Sequence, residues 1–260
     1  MRTFALGDVH GNAKALKQVL DRSGFDFDND TLIQLGDIVD GYPDVYECFE
    51  ILSTIRNLIL IEGNHDNWFK EYLTTGISAT KFAQGGYGTA FSYLDRIDKG
   101  HLIIPIGGDS IGFKTALNPE DIPPMHQKLL REQHLYYIDN DNCFVHGGFN
   151  RHLEFKGQQP YIYMWDRDLW HTALSYKAMA EGLNGEAPSF KIKTQFKNIF
   201  IGHTSTTFWN TTLPMKAGNI INIDTGAGSK GVLTLMDVDT HEFYQSDTGL
   251  QLYPDYKYRR

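Results

Sequence analysis

Cysteine is nearly missing from this sequence: Cys48 and Cys143 are the only two in 260 residues, and no CxxC pair occurs. That excludes a disulfide framework or a zinc knuckle and leaves two reduced, buried thiols as the expectation. Long apolar runs are missing too. The opening MRTFALGDVHG reaches Asp8 too soon for a signal-peptide core, and nowhere do about 18 apolar residues follow one another. A soluble, cytoplasmic protein with no membrane partner is expected. Net positive charge is also absent. The formal charge of -8 argues against a protein that wraps nucleic acid or coats an anionic membrane, while leaving room for a local cationic pocket. No Pro/Ser-rich or charge-run linker, internal repeat or low-complexity tract divides the chain. One domain over residues 1–260, monomeric, is the expectation.

What is present is a hydrophobic fraction of 41%, enough for a sizeable core, arranged in short runs. Arg2 to Leu6 reads as a strand. Asn12 to Arg22 carries Ala15, Leu16, Val19 and Leu20 at helical spacing, and Thr31 to Leu35 returns to strand character. This is a βαβ unit. A second helix over Asp44 to Ile55 and a third strand over Leu58 to Ile61 extend it, with strands apolar on consecutive positions as in a parallel sheet buried on both faces. Residues 67–135 read as a helical and irregular insertion on the substrate side, containing a Gly-rich turn (QGGYG) and a helix-breaking PEDIPP. Strands return at Cys143 to Val145 and Asn198 to Ile201. Asn219 to Ile223 and Gly231 to Val238 are expected as antiparallel strands.

Candidate ligands fall just past the strands. Asp8 and His10 follow the first, Asp37 the second, Asn64 and His65 the third, and His146 and His203 the later ones. Ligands of open α/β sheets bind beyond the carboxyl ends of strands. The separations Asp8 to Asp37 and Asp37 to Asn64 are 29 and 27 residues, close to the roughly 30 of one βαβ unit. Two carboxylates, an amide oxygen and three imidazoles form an N/O shell suited to Mn, Fe or Zn, Mn first among them. If Asp37 bridges two divalent ions, Asp8, His10 and Asp37 hold one, and Asp37, Asn64, His146 and His203 the other. Two carboxylates cancel only part of that positive charge, so the site attracts anions. Each piece alone reads as an ordinary tight turn; five in order do not. The other histidines read as surface or satisfied core residues.

GDVHG (7–11), GDIVDG (36–41), GNHD (63–66), HGG (146–148) and GHT (202–204) resemble the signature blocks of the PPP-type phosphoprotein phosphatases, within the calcineurin-like metallophosphoesterase superfamily. The likeness is closer to the compact bacterial and phage serine/threonine phosphatases. It implies an α/β fold, a four-layer αββα β-sandwich flanked by helices, with two metal ions and hydrolysis of phosphate monoesters by metal-bound water. The substrate would be a phosphorylated protein or a small phosphate ester. The resemblance also implies that His65 is the general acid, oriented by Asp40, and that Asn64 and Arg167 bind the substrate phosphate. Asp40 alone also reads as a turn cap, and Arg167 as a surface residue paired with Asp166 or Asp168. The family block continues with a phosphate-gripping Arg where this chain has Gly41. Symmetrical dinucleoside tetraphosphatases carry the first three blocks, but their last usually reads GHW. Nucleases and phosphodiesterases of the superfamily commonly show GHxH, where Ser205 stands here. A phospho-binding module without turnover would keep the metal ligands but has no use for an acid.

Overall fold

The computed structural model describes residues 1–76, 84–106, 112–182, 190–193 and 196–256. Strands β1 (Thr3–Leu6), β2 (Thr31–Gln34) and β3 (Asn57–Leu60) run parallel, linked by α1 (Ala13–Ser23) and α2 (Val45–Ser53). Asn12 starts α1 by accepting the Ala15 N–H at 3.0 Å, and Gly24, in a left-handed conformation, ends it. Helices α3 (Asn64–Thr75) and α4 (Gly86–Leu94), the hairpin β4 (Ile104–Ile106) with β5 (Gly112–Lys114), and α5 (Pro124–Arg131) follow. PEDIPP makes a short 3-10 turn and then opens α5, whose first residue is Pro124. Residues 77–83 and 107–111 of the expected insertion lie outside the described residues.

The second half supplies β6 (Tyr136–Asp139), β7 (Asn142–Val145), α6 (Pro160–Trp165), α7 (Asp168–Gly182), β8 (Asn198–Ile201), β9 (Met215–Ala217) and β10 (Ile220–Asn222). Then come β11 (Thr234–Asp237), β12 (Phe243–Gln245) and α8 (Gly249–Leu252). Two five-stranded mixed sheets result, in the orders β12-β11-β1-β2-β3 and β6-β7-β8-β10-β9. The expected antiparallel character holds for both late segments, each against a partner of its own. β10 runs parallel to β8 and antiparallel only to β9, while β11 lies in the other sheet, antiparallel to β1. Apolar pattern marks a segment as a strand but does not choose its partner.

Side chains alternate across these strands. Ala5, Ile33, Phe144, Phe200 and Ile221 fill the space between the sheets. Phe4, Leu6 and Leu32 pack outward against α1 and α2, and Cys143, Val145, Ile199 and Ile201 pack outward with Trp170 of α7. The molecule is therefore a helix, sheet, sheet, helix sandwich, as expected. Both cysteines are buried and unbridged. Among the described residues no helix is long and apolar enough to cross a membrane.

Candidate metal centre and active site

Three parallel strands of each sheet end at the same place. Asp8 and His10 follow β1, Asp37 follows β2, Asn64 opens α3 after β3, His146 follows β7, His203 follows β8, and Asp224 follows β10. The turns are tight. A methyl group on Gly36 would sit 2.7 Å from both Gly63 N and His146 Nδ1, and one on Gly202 would sit 2.2 Å from Asp8 Oδ1. Only glycine lets these backbones close on the ligands. Strain collects here as well: His10, Asp37, Asp40 and His203 all have positive φ, from 51° to 65°.

Asp37 Oδ2 lies 3.6 Å from His10 Nε2 on one side and 3.4 Å from His146 Nε2 on the other. Asn64 Oδ1 is 3.1 Å from the same His146 nitrogen. His146 Nδ1 faces the Leu35 carbonyl at 2.7 Å, and His10 Nδ1 faces the Asp40 carbonyl at 2.7 Å. A carbonyl only accepts, so each Nδ1 carries a proton, and in the neutral ring each Nε2 presents a lone pair to the Asp37 carboxylate. Acceptors facing acceptors in a buried site need a cation between them. His203 Nε2 is buried with no hydrogen-bond partner among the described residues. The donors gather as His10, Asp37 and His65, and as Asp37, His146 and His203, with Asp37 common to both. These residues fit divalent cations. Asp8 stands outside both groups, its carboxylate accepting the His203 N–H at 3.1 Å.

The electrostatics agree. Burial and the neighbouring Asp224 push the Asp8 carboxyl well above its usual range. Burial opposes ionisation of Asp37, yet the imidazoles of His146, His65 and His10 hold it well below. For His146 burial is outweighed by Asp37 and Asp8, which raise its imidazole to about 10. Burial and His146 hold His203 neutral, well below the usual imidazole value.

Within the first of these donor groups, His65 Nδ1 donates to Asp40 Oδ2 at 2.9 Å. Asp40 is fully buried, and His65 nearly so. The pair leaves His65 Nε2 toward the donor cluster, where its ring lies edge-on to His10 at 5.0 Å.

A family model described as calcineurin-like phosphoesterase matches residues 1–206. The chain belongs to the calcineurin-like phosphoesterase family. It is a metal-dependent phosphoester hydrolase. The chain is 26% identical to the symmetrical bis(5'-nucleosyl)-tetraphosphatase of Pseudomonas fluorescens over 94% of each protein. Among solved structures it resembles a metallophosphoesterase from Sphaerobacter thermophilus, with a TM-score of 0.54 and 18% identity over 98% of this chain and 94% of that one. It also resembles a cold-active protein tyrosine phosphatase, with a TM-score of 0.53 and 16% identity over 95% of this chain and 79% of the other. These two likenesses are of fold.

Arg167 of this phosphoesterase makes no ion pair with Asp166 or Asp168 among the described contacts. Its Nη1 donates to the His203 carbonyl at 3.1 Å and to Thr204 Oγ1 at 2.8 Å, tying the arginine to the GHT turn. Gly41 has φ 136°, donates its N–H to Gly85 O, and receives the Tyr256 hydroxyl on its own carbonyl at 2.9 Å. The position that carries Arg in the family block is thus held in a conformation that disfavours any side chain.

Several residues of the phosphoesterase site escaped the sequence reading. Asp66, the last residue of GNHD, accepts the N–H groups of Asp37, Ile38 and Val39 and so fixes the loop after β2. Its place in the first turn of α3 was the available signal. Asp224 follows a parallel strand as the ligands do, but carried no Gly-Asp or His mark. Thr89, which bonds Asp40, gave no local signal at all. Trp68 and Trp165 are not among these, since the sequence already marks the aromatic segments Trp68 to Tyr93 and Tyr161 to Trp170 as walls over the site; their ring centroids are 5.2 Å apart, with Trp68 against His65 and Trp165 against His203. Beyond Trp165 lies a groove of about 290 Å³ lined by Asn150, His152, Tyr161, Asp166 and Asp168. A larger cavity of about 750 Å³, between α2 and α5, holds none of the site residues.

Proposed function

We propose that this chain hydrolyses phosphate monoesters, with phosphoserine or phosphothreonine in a protein, or a small phosphate ester, as substrate. Asp8, His10 and Asp37 would hold one divalent ion, and Asp37, Asn64, His146 and His203 the other, with Mn the first choice for this thiolate-free shell. When bound, the ions supply an activated water and neutralise charge on the phosphoryl oxygens. Asn64 and the remaining N–H donors of Arg167 orient the phosphate. His65 Nε2 donates its proton to the departing oxygen, while Asp40 holds the ring in one orientation.

The buried His65–Asp40 pair at 2.9 Å carries this reading. An alkoxide leaving group, as from serine, needs a proton far more than a nucleotide phosphate does. The test is a comparison of wild type and His65→Asn, loaded with Mn, on a phosphoserine peptide and on p-nitrophenyl phosphate. A loss of about 10²- to 10⁴-fold on the peptide, much smaller on the aryl ester, with metal content kept, is expected. Equal losses would remove the acid role.

A second reading is a symmetrical dinucleoside tetraphosphatase. It is supported by the name of the relative that matches 94% of the chain. The groove beyond Trp165 adds to it, since exposed Tyr161 and Trp165 could stack a base while Asp166 and Asp168 disfavour a further phosphate there. Release of ADP from diadenosine tetraphosphate faster than phosphate from any phosphopeptide, with that preference lost in Trp165→Ala, would establish this reading over the first.

A further inference from the structure

We propose that Thr89, on α4, is a positioning residue that sets the acid His65 through Asp40, and that the glycine-rich start of α4 exists to deliver it. The inference rests on the reading of His65 as the acid. Thr89 is fully buried, and its hydroxyl makes two contacts with one residue. It accepts the Asp40 N–H at 2.9 Å and donates to Asp40 Oδ1 at 2.7 Å. Asp40 Oδ2 is the oxygen that receives His65 Nδ1. One hydroxyl therefore fixes both the backbone and the carboxylate plane of Asp40, which stands at a positive φ of 63°. A carboxylate turned about its Cβ–Cγ bond could not keep both partners.

The docking of α4 is built for this contact. Gly85 O accepts the Gly41 N–H at 2.9 Å, and Ser92 Oγ accepts the Tyr46 N–H at 2.8 Å, one turn beyond Thr89. A methyl group on Gly88 would lie 2.3 Å from Gly41 O and 2.6 Å from Tyr42 O. The QGGYG turn thus brings helix backbone against the loop of residues 40–46 at a distance only glycine allows. Among the described residues, the Thr89 hydroxyl is linked to His65 through Asp40.

The experiment compares Mn-loaded wild type, Thr89→Val, Thr89→Ser and His65→Asn on a phosphoserine peptide and on p-nitrophenyl phosphate, with bound metal and Tm measured for each. Thr89→Val is expected to lose roughly tenfold or more in kcat on the peptide and clearly less on the aryl ester, a fraction of the full general-acid effect. KM and metal content should hold, and Thr89→Ser, which keeps the hydroxyl, should restore most of the loss. Equal loss on both esters, or Thr89→Val turnover matching wild type on the peptide, overturns the inference. If Thr89→Val does not fold, Thr89→Ser decides: keeping the wild-type ratio of the two rates supports the role, and showing the His65→Asn ratio overturns it. If His65→Asn itself loses equally on both esters, the acid reading has failed first, and Thr89 has nothing to position.

Discussion

Asp37 has more demands on it than any other residue of the site. Its Oδ2 faces His10 and His146, its Oδ1 accepts the His65 N–H at 2.9 Å, and its own N–H is held by Asp66. Asp37→Asn removes the charge shared by both donor groups and should weaken metal binding by more than the ~10- to 100-fold typical of changes to outer-shell partners. Calorimetric titration with Mn reads this directly, and unchanged affinity for two ions would refute the shared role. Gly41 poses the opposite case, a residue whose value lies in having no side chain. At φ 136°, Gly41→Arg restores a family clamp only at the cost of strain. Gly41→Ala isolates that cost, on the order of 1 to 3 kcal/mol, and should lower Tm by several degrees with metal content intact. A Gly41→Ala protein as stable as wild type would mean that the backbone relaxes and the strain account fails.

At the level of elements, helices packed on the first sheet carry polar groups that must be satisfied inside. His126 of α5 is completely buried, stacked on Phe49 at 5.2 Å, with Tyr93 on Nδ1 and Glu50 on Nε2. Burial holds its imidazole below the usual value despite the Glu50 carboxylate. A histidine with a lowered folded pKa contributes stability that is present above the unfolded value of about 6.5 and is lost as pH falls through the folded one. Tm of wild type should therefore drop between pH 7.5 and 5 by more than that of His126→Gln. Parallel drops would show that α5 docks without help from this proton equilibrium. The sequence reading of His126 as a satisfied core histidine agrees with this packing.

Across the whole molecule, the two sheets meet at the ends of their strands. Asp8, His10, Asp37 and Asn64 come from the first sheet, and His146 and His203 from the second. Ions held by both sets would cross-link the sandwich at the ends of its strands. Binding to the folded chain alone stabilises it by about 4 kcal/mol at a thousandfold excess over Kd. Chelation should lower Tm by several degrees and Mn should restore it. A melting curve indifferent to chelator would place the metal outside the fold's energetics.

The sequence by itself picked out the candidate donors and the strands that bear them. Apolar runs followed by Gly-Asp, Gly-Asn-His or His-Gly-Gly are local patterns, and a parallel strand projects its next residues to one end of the sheet whatever the rest of the chain does. The αββα layering was implied by the resemblance of the five sequence blocks, whereas strands apolar on consecutive positions pointed only to a sheet buried on both faces. Other features needed the tertiary structure, because they join segments with no local relation. Thr89 meets Asp40 across 49 residues, and Trp165 and Trp68 meet across the two halves of the chain. β10 chooses β8 rather than β11, and Arg167 turns to the GHT backbone instead of a neighbouring aspartate. The positive φ of Gly41 belongs to this class too, since Gly85 and Tyr256, which hold its backbone, come from α4's start and the C-terminal segment. Residue identity sets which chemistry is available at each position; hydrogen bonds between distant segments decide which of it is aimed.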